Sequence, residues 1–443
     1  MLKHRCLVLA LAVLPFAVMA QTPAPATTAI RAARMFDGTT DTMVNDAVVI
    51  VEGTTIKAAG SRLPVPPGAK VIDLGDATLL PGFIDAHTHL SDEGSDDWNA
   101  DTVAGLRRTV AESALRASTF AKRTLMAGFT TVRDVGSSDY IDVGLRNAIA
   151  AGSIVGPRML VAVHALGARG GHCDNGGYPY QRFGAETGIQ DGIASGADQF
   201  RDAVRFQVKY GADVIKVCAT GGVLSLSDSV DAPQITQAEM DALVDEAHRL
   251  GRRAAAHAHG AEGAKVAIRA GIDSIEHGSF LDEDAVRMMK EKGTYLVPTL
   301  MAGEYAAGRA TVRHYPPEIA AKAAAAVAAR SAAFKRALDA GVKIAFGTDS
   351  GVSPHGLNAQ EFALLAQNGM SPAAALRTTG TAAALLGLEK TIGTLQAGKQ
   401  ADIVAVPGDV MKDIKTTERV RFVMKGGTVY RQDAAAAPST GSR

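Results

Sequence analysis

Histidines in this sequence fall at the ends of apolar runs, a placement with chemical meaning. Residues 82–86 lead into Asp85-Ala86-His87-Thr88-His89, residues 254–257 into His257-Ala258-His259-Gly260, and Ser274-Ile275 into Glu276-His277-Gly278. Alternate residues of an extended strand point the same way, so His87 and His89 face together. The run 344–346 leads to Asp349, and Val214-Ile215-Lys216-Val217-Cys218 sets a lysine inside an apolar strand. Each feature alone has a plain structural alternative: a hydrogen-bonded histidine, a snorkelling lysine, an aspartate capping a helix. Together they favour chemistry, because independent structural roles would scatter them. Imidazole and carboxylate form the ligand set of zinc and similar divalent ions, without the cysteines of a structural zinc knot.

These residues need a scaffold that brings strand ends together. Strand-like runs at 82–86, 129–132, 159–163, 214–219, 254–257, 274–275, 295–297 and 344–346 alternate with helical spacing, as at 102–126, 237–250, 261–270 and 317–340. Continuous apolar strands alternating with helices predict an α/β fold, a (β/α)8 barrel over 81–395, with chemistry at the C-terminal strand ends. A doubly wound open sheet is the second reading, and no GxGxxG follows the first strand to support it. The flanks read as short strands at 47–51, 55–59, 70–74, 401–406 and 420–430, the last turning at Gly426-Gly427. They predict one small β-sandwich domain built from 30–80 and 396–432. Residues 21–29 read as a flexible leader and 433–443 as a disordered tail.

The chain has 443 residues, 47% of them hydrophobic, enough for a large core. Its 46 basic and 46 acidic residues cancel, giving no reason to expect a nucleic-acid or anionic-membrane partner. Residues 1–20 carry the three parts of a signal peptide: Lys3 and Arg5, an apolar stretch 6–19, and small residues before Gln21. An exported protein, periplasmic or secreted and free of the membrane after cleavage, is expected; an uncleaved anchor is the alternative. Only Cys173 and Cys218 then remain, and a core of this size needs no staple, so free thiols are expected.

The pieces PGFIDAHTHL, Gly170-Gly171-His172, GADVIKVCATGGVLS, AHAHG, SIEHG and FGTDSG, in that order, resemble the amidohydrolase superfamily over nearly the whole mature chain. Within it they look most like the imidazolonepropionase-related branch, which includes Xaa-Pro dipeptidases and ochratoxin-hydrolysing amidases. The resemblance implies two divalent metal ions, with zinc suited to the ligands. His87, His89 and Asp349 would hold the more buried ion, His257 and His277 the more exposed one, and carbamylated Lys216 would bridge them. Burial among Ile215 and Val217 favours the neutral amine that carbamylation requires. Either His257 or His259 satisfies the strand geometry; the resemblance favours His257, leaving His259 to orient substrate or to cap the loop.

Such a TIM-like metallo-hydrolase makes hydroxide available near neutral pH and polarises the scissile carbonyl, with Asp349 relaying a proton to the leaving amine. His172 is a candidate for the oxyanion or a substrate carboxylate, with loop packing as the alternative. His164 is assigned to specificity and Gly222 to close backbone approach. Residues 305–315, with Arg309, are read as a lid attracting a carboxylate-bearing substrate, or as a solvated loop. The implied reaction is amide hydrolysis of N-acyl amino acids or dipeptides, including ochratoxin A to ochratoxin alpha and phenylalanine. A cyclic-amide hydrolase and a catalytically silent metal-binding protein are the alternatives. The resemblance also implies a homo-oligomer, of which an octamer is one form.

Overall fold

The computed structural model describes residues 26–174, 186–226 and 228–433. The expected signal peptide, most of the leader and all of the tail except Asp433 lie outside those residues.

Eight parallel staves form the barrel: Phe83–Thr88, Phe129–Asp134, Arg158–Val161, Val214–Cys218, Arg253–Gly260, Ser274–Phe280, Tyr295–Val297 and a short bridge at Ile344. Staves one to three and four to seven are two hydrogen-bonded ladders. The gaps between them are closed by isolated backbone hydrogen bonds rather than continuous ladders. Leu166 N–H donates to Lys216 O and Cys218 N–H to Leu166 O, both at 2.8 Å. Ala345 N–H donates to Leu296 O at 2.9 Å, and Ala86 N–H to Phe346 O at 2.9 Å. Phe83, Phe129, Phe346 and Phe362 pack where the first, second and eighth staves meet, with ring centroids 4.4–5.5 Å apart.

The helices begin where side chains satisfy orphan backbone donors. Thr236 and Glu239 form a reciprocal capping box at the start of Gln237–Arg249. The helix expected over 102–126 is instead two, Trp98–Arg107 and Val110–Met126. Arg108 is extended between them, and Thr109 caps the second helix by accepting from Glu112 N–H at 3.2 Å. Among the described residues no helix is long and apolar enough to cross a membrane.

Strands from both ends of the chain share one sheet. Its order is Thr428–Gln432, Phe422–Lys425, Ile403–Pro407, Ala77–Pro81, Thr27–Met35, Val44–Glu52 and Thr55–Ser61, with Lys70–Asp73 also pairing Thr27–Met35. Ile56 and Phe422, from opposite ends of that order, belong to one buried cluster with Ile30, Val49 and Leu79. The sheet therefore curls over its own core, as a sandwich requires. The leader is shorter than expected. Thr27, Thr28 and Ala29 already pair with Glu52, Val51 and Ile50, and alternation of small alanines left this strand without a strong sequence signal.

Candidate metal centre

The strand ends converge as their residue types require. His87, His89 and Asp349 present ligand atoms within 4.8 Å of one another, and so do His257, His259 and His277. The rings of His87 and His277 lie 4.9 Å apart, so the clusters adjoin. Exposure does not separate the clusters: His87 is 1% exposed and the His89 side chain 32%, whereas His257 and His259 are 6% and 7% exposed and His277 is half-buried.

Backing groups turn each ring. His87 Nδ1 meets Glu276 Oε2 at 2.7 Å, and His89 Nδ1 meets Gly136 O at 2.9 Å, leaving both Nε2 atoms near Asp349 at 3.5 and 3.3 Å. His259 Nδ1 pairs with Ser279 Oγ at 2.8 Å, His277 Nδ1 with Thr299 Oγ1 at 2.7 Å, and His257 Nε2 with Gly221 O at 3.2 Å. Partners of this kind fix which nitrogen faces a bound ion.

Backbone conformation contributes as well. His277 at φ 71°, Asp349 at 58° and Thr299 at 46° occupy the left-handed region, which costs non-glycine residues on the order of 1–3 kcal/mol each. At His277 the departure from strand geometry lets adjacent Glu276 and His277 both serve the site. A regular strand would send them to opposite faces.

Burial keeps the rings other than His89 neutral. It lowers His87 to about 4 and His259 to about 3, and holds His257 and His277 well below the ordinary histidine range. At His89 burial is outweighed by Asp349, which raises that ring. Burial lowers Lys216 to about 8, so neutral amine is accessible near physiological pH. Neutral imidazoles, a carboxylate and a depressed lysine amine fit divalent ions.

These side chains line a cleft of about 1010 Å³, counted to its open mouth. Val223, Leu224, Ala302, Ala306, Ala326 and Val352 supply an apolar wall.

An amidohydrolase family model matches residues 78–430. The chain belongs to the amidohydrolase family. It is 32% identical to the ochratoxinase of Aspergillus niger over 439 residues, covering 94% of this chain and 88% of that one. The crystal structure of A. niger ochratoxinase superposes with a TM-score of 0.81 at 31% identity, covering 92% of this chain and 96% of that one. The crystal structure of a Xaa-Pro dipeptidase with bound methionine in its active site gives a TM-score of 0.86 at 38% identity, covering 92% and 100%. Imidazolonepropionase of Hyphomonas neptunium is 26% identical over 415 residues, 82% of this chain and 87% of that one.

In this amidohydrolase the remaining sequence-predicted residues divide. His172 joins the cleft, its ring centroid 4.3 Å from that of His257. Gly222 seats it, because a Cβ there would lie 2.1 Å from His172 Cε1. His164 is not brought to the cleft; its ring packs edge-on to Tyr140 at 5.4 Å. Arg309 is not brought there either, because its guanidinium pairs with Asp96. Of the expected polar loop at 305–315, residues 305–308 finish helix Leu300–Gly308 and 309–314 form turns leading to buried Tyr315, packed on Trp98.

The thiol expectation is corrected. Cys173 and Cys218 form a disulfide with Cα atoms 5.9 Å apart. Core size sets whether a chain needs a staple, but the local approach of a loop to a strand end sets whether it has one.

Sequence reasoning also passed over several supports. Glu276 receives Arg133 Nη2 at 2.8 Å on one oxygen and His87 on the other. Burial opposes its ionisation, but Arg133 and His87 prevail and hold it at about 2. Asp85 ties the first stave to the eighth through Thr348 Oγ1 at 2.6 Å and Asn358 Nδ2 at 2.8 Å. Arg330 lines the cleft and braces Leu300 O and Glu304. A lone arginine on the buried face of an alanine-rich helix was the available signal for it.

Proposed function

We propose that this amidohydrolase is a binuclear metal-dependent enzyme cleaving amide bonds of N-acyl amino acids or dipeptides, with ochratoxin A among the candidate substrates. The carrying observation is the pair of adjoining ligand clusters with buried Lys216 in the same cleft, within electrostatic reach of both. His87, His89 and Asp349 would hold one ion, and His277 with His257 or His259 the other. Lys216, as its carbamate, would serve both. Bound there, divalent ions would acidify water and polarise a carbonyl.

The chain's own groups do the rest. Glu276 fixes the His87 ring, and Asp349 accepts the proton of the attacking water and passes it to the amide nitrogen as the C–N bond breaks. Without that transfer the nitrogen leaves as an unstable anion. Ser225 donates to Asp228, so His172 Nδ1–H donates to Ser225 at 3.1 Å and Nε2 is left as the unprotonated nitrogen. A substrate carboxylate arriving there would favour the imidazolium, which then donates to it. The apolar wall suits a bulky acyl or amino-acid side chain.

The test is hydrolysis of N-acyl amino acids, dipeptides and ochratoxin A, before and after chelation. Activity on at least one class is expected, falling roughly 100-fold or more on verified metal removal and returning with zinc. Full activity without metal would refute the mechanism. Exclusive opening of cyclic amides would favour the imidazolonepropionase-type reading.

A further inference from the structure

His172 sits on the loop after the third stave, away from the ladders that hold the other histidines. Its position depends on a few local ties. Its backbone N–H donates to Gln234 Oε1 at 2.8 Å, its ring meets Ser225 Oγ at 3.1 Å, and Gly222 leaves room beneath it. The next residue, Cys173, is covalently bound to Cys218. Gly167 makes room for that bond, because a Cβ there would lie 2.8 Å from Cys173 Cβ. Cys218 is two residues beyond Lys216 on the fourth stave, and alternate strand residues share a face. Both cysteines line the same cleft as Lys216 and His172. The crosslink thus joins the neighbour of His172 to the strand that carries the central lysine.

We propose that the Cys173–Cys218 disulfide is a positioning element, holding His172 over the His257 cluster so that it meets substrate in one orientation. This rests on the amide-hydrolase reading for its kinetic effect, but not for its structural one. Neither sulfur takes part in turnover. Without the bond the loop keeps Gln234 and Ser225 as polar partners and gains freedom at Cys173. Small misplacement of a substrate-contacting group is costly to rate.

The test uses the full chain, purified under oxidising conditions, as Cys173→Ser/Cys218→Ser, His172→Ala and the triple variant. Alkylation of the denatured parent protein should find neither thiol free; two free thiols overturn the proposal at once. Hydrogen exchange should rise at residues 168–174 in the double variant, and unchanged exchange there refutes positioning whatever the substrate. With metal content matched, kcat/KM of the double variant should fall about tenfold, chiefly through KM. The triple variant should be no slower than His172→Ala alone, because a positioning bond has nothing left to position. Losses that multiply, or a double variant as active as the parent, overturn it. If no amide is hydrolysed by the parent, exchange alone decides this proposal and the functional reading falls separately.

Discussion

The two histidine clusters use the same ring on the same barrel, yet differ in what stands behind it. Around His87 and His89 the setting is ionic: Asp349 faces both Nε2 atoms, and Glu276, braced by Arg133, holds His87 from behind, while the Gly136 carbonyl backs His89. Around His259 and His277 it is hydroxyl, from Ser279 and Thr299, and around His257 it is the Gly221 carbonyl. Three neutral rings attract a cation less than two rings beside two carboxylates. If two ions bind as proposed, the contrast predicts unequal hold on them, the one beside His87 and His89 being slower to leave. Charge, not depth, separates them.

The largest way to break this comparison is Asp349→Asn. Asparagine tolerates the left-handed backbone at this position, so shape survives while charge and proton acceptance go. Turnover should drop on the order of 10³-fold with circular dichroism unchanged. Parent-like rates would remove Asp349 from the chemistry and leave the two clusters equivalent.

Glu276→Gln comes next. It leaves Arg133 buried with a neutral partner, so stability should fall by about 3–5 kcal/mol in denaturant melts. Metal affinity should weaken about 10–100-fold, read by competition with a fluorescent chelator. The parent protein supplies a pH check. Because folding depresses this carboxyl to about 2, its contribution to stability is complete above the ordinary carboxylate range and lost as pH falls toward 2. Glu276→Gln should therefore flatten the acid limb of the stability profile, and an unchanged limb would put the ionised pair in question.

The smallest effect belongs to the hydroxyl side. Ser279→Ala removes one hydroxyl partner of His259, worth about 1 kcal/mol, so metal affinity should change by less than about tenfold. A loss larger than that of Glu276→Gln would reverse the ranking of the clusters.

The clustering of these residues was legible in the sequence because a strand's period of two aligns His87 with His89, and because eight apolar runs pointed to a barrel with one reactive end. The supports were not. Glu276 precedes His277 by one residue, so regular strand geometry sends it to the opposite face; only the left-handed turn at His277 brings both to the site. Arg133 looks like any charge within Thr130-Thr131-Val132-Arg133-Asp134 until its partners arrive from Ser274 and Glu276, 141 and 143 residues away. The disulfide spans 45 residues, and spacing alone cannot bring two cysteines together. Arg309 misled for the converse reason: a basic residue near a mouth draws substrate only if no carboxylate reaches it first, and Asp96 does. Local periodicity finds what points inward; it does not find what holds it there.

The shared sheet also sets an order in time. The first barrel stave follows directly on Ala77–Pro81, whose neighbour in the sheet is Ile403–Pro407, and Gly82 N–H donates to Asp402 O at 2.8 Å. Synthesis delivers His87 and His89 early, but the strand on which their stave hangs leaves the ribosome near the end. A growing chain therefore carries the ligands for most of its synthesis without the frame that aims them. The stave that carries His87 and His89 is therefore framed by a strand that follows the whole barrel in sequence.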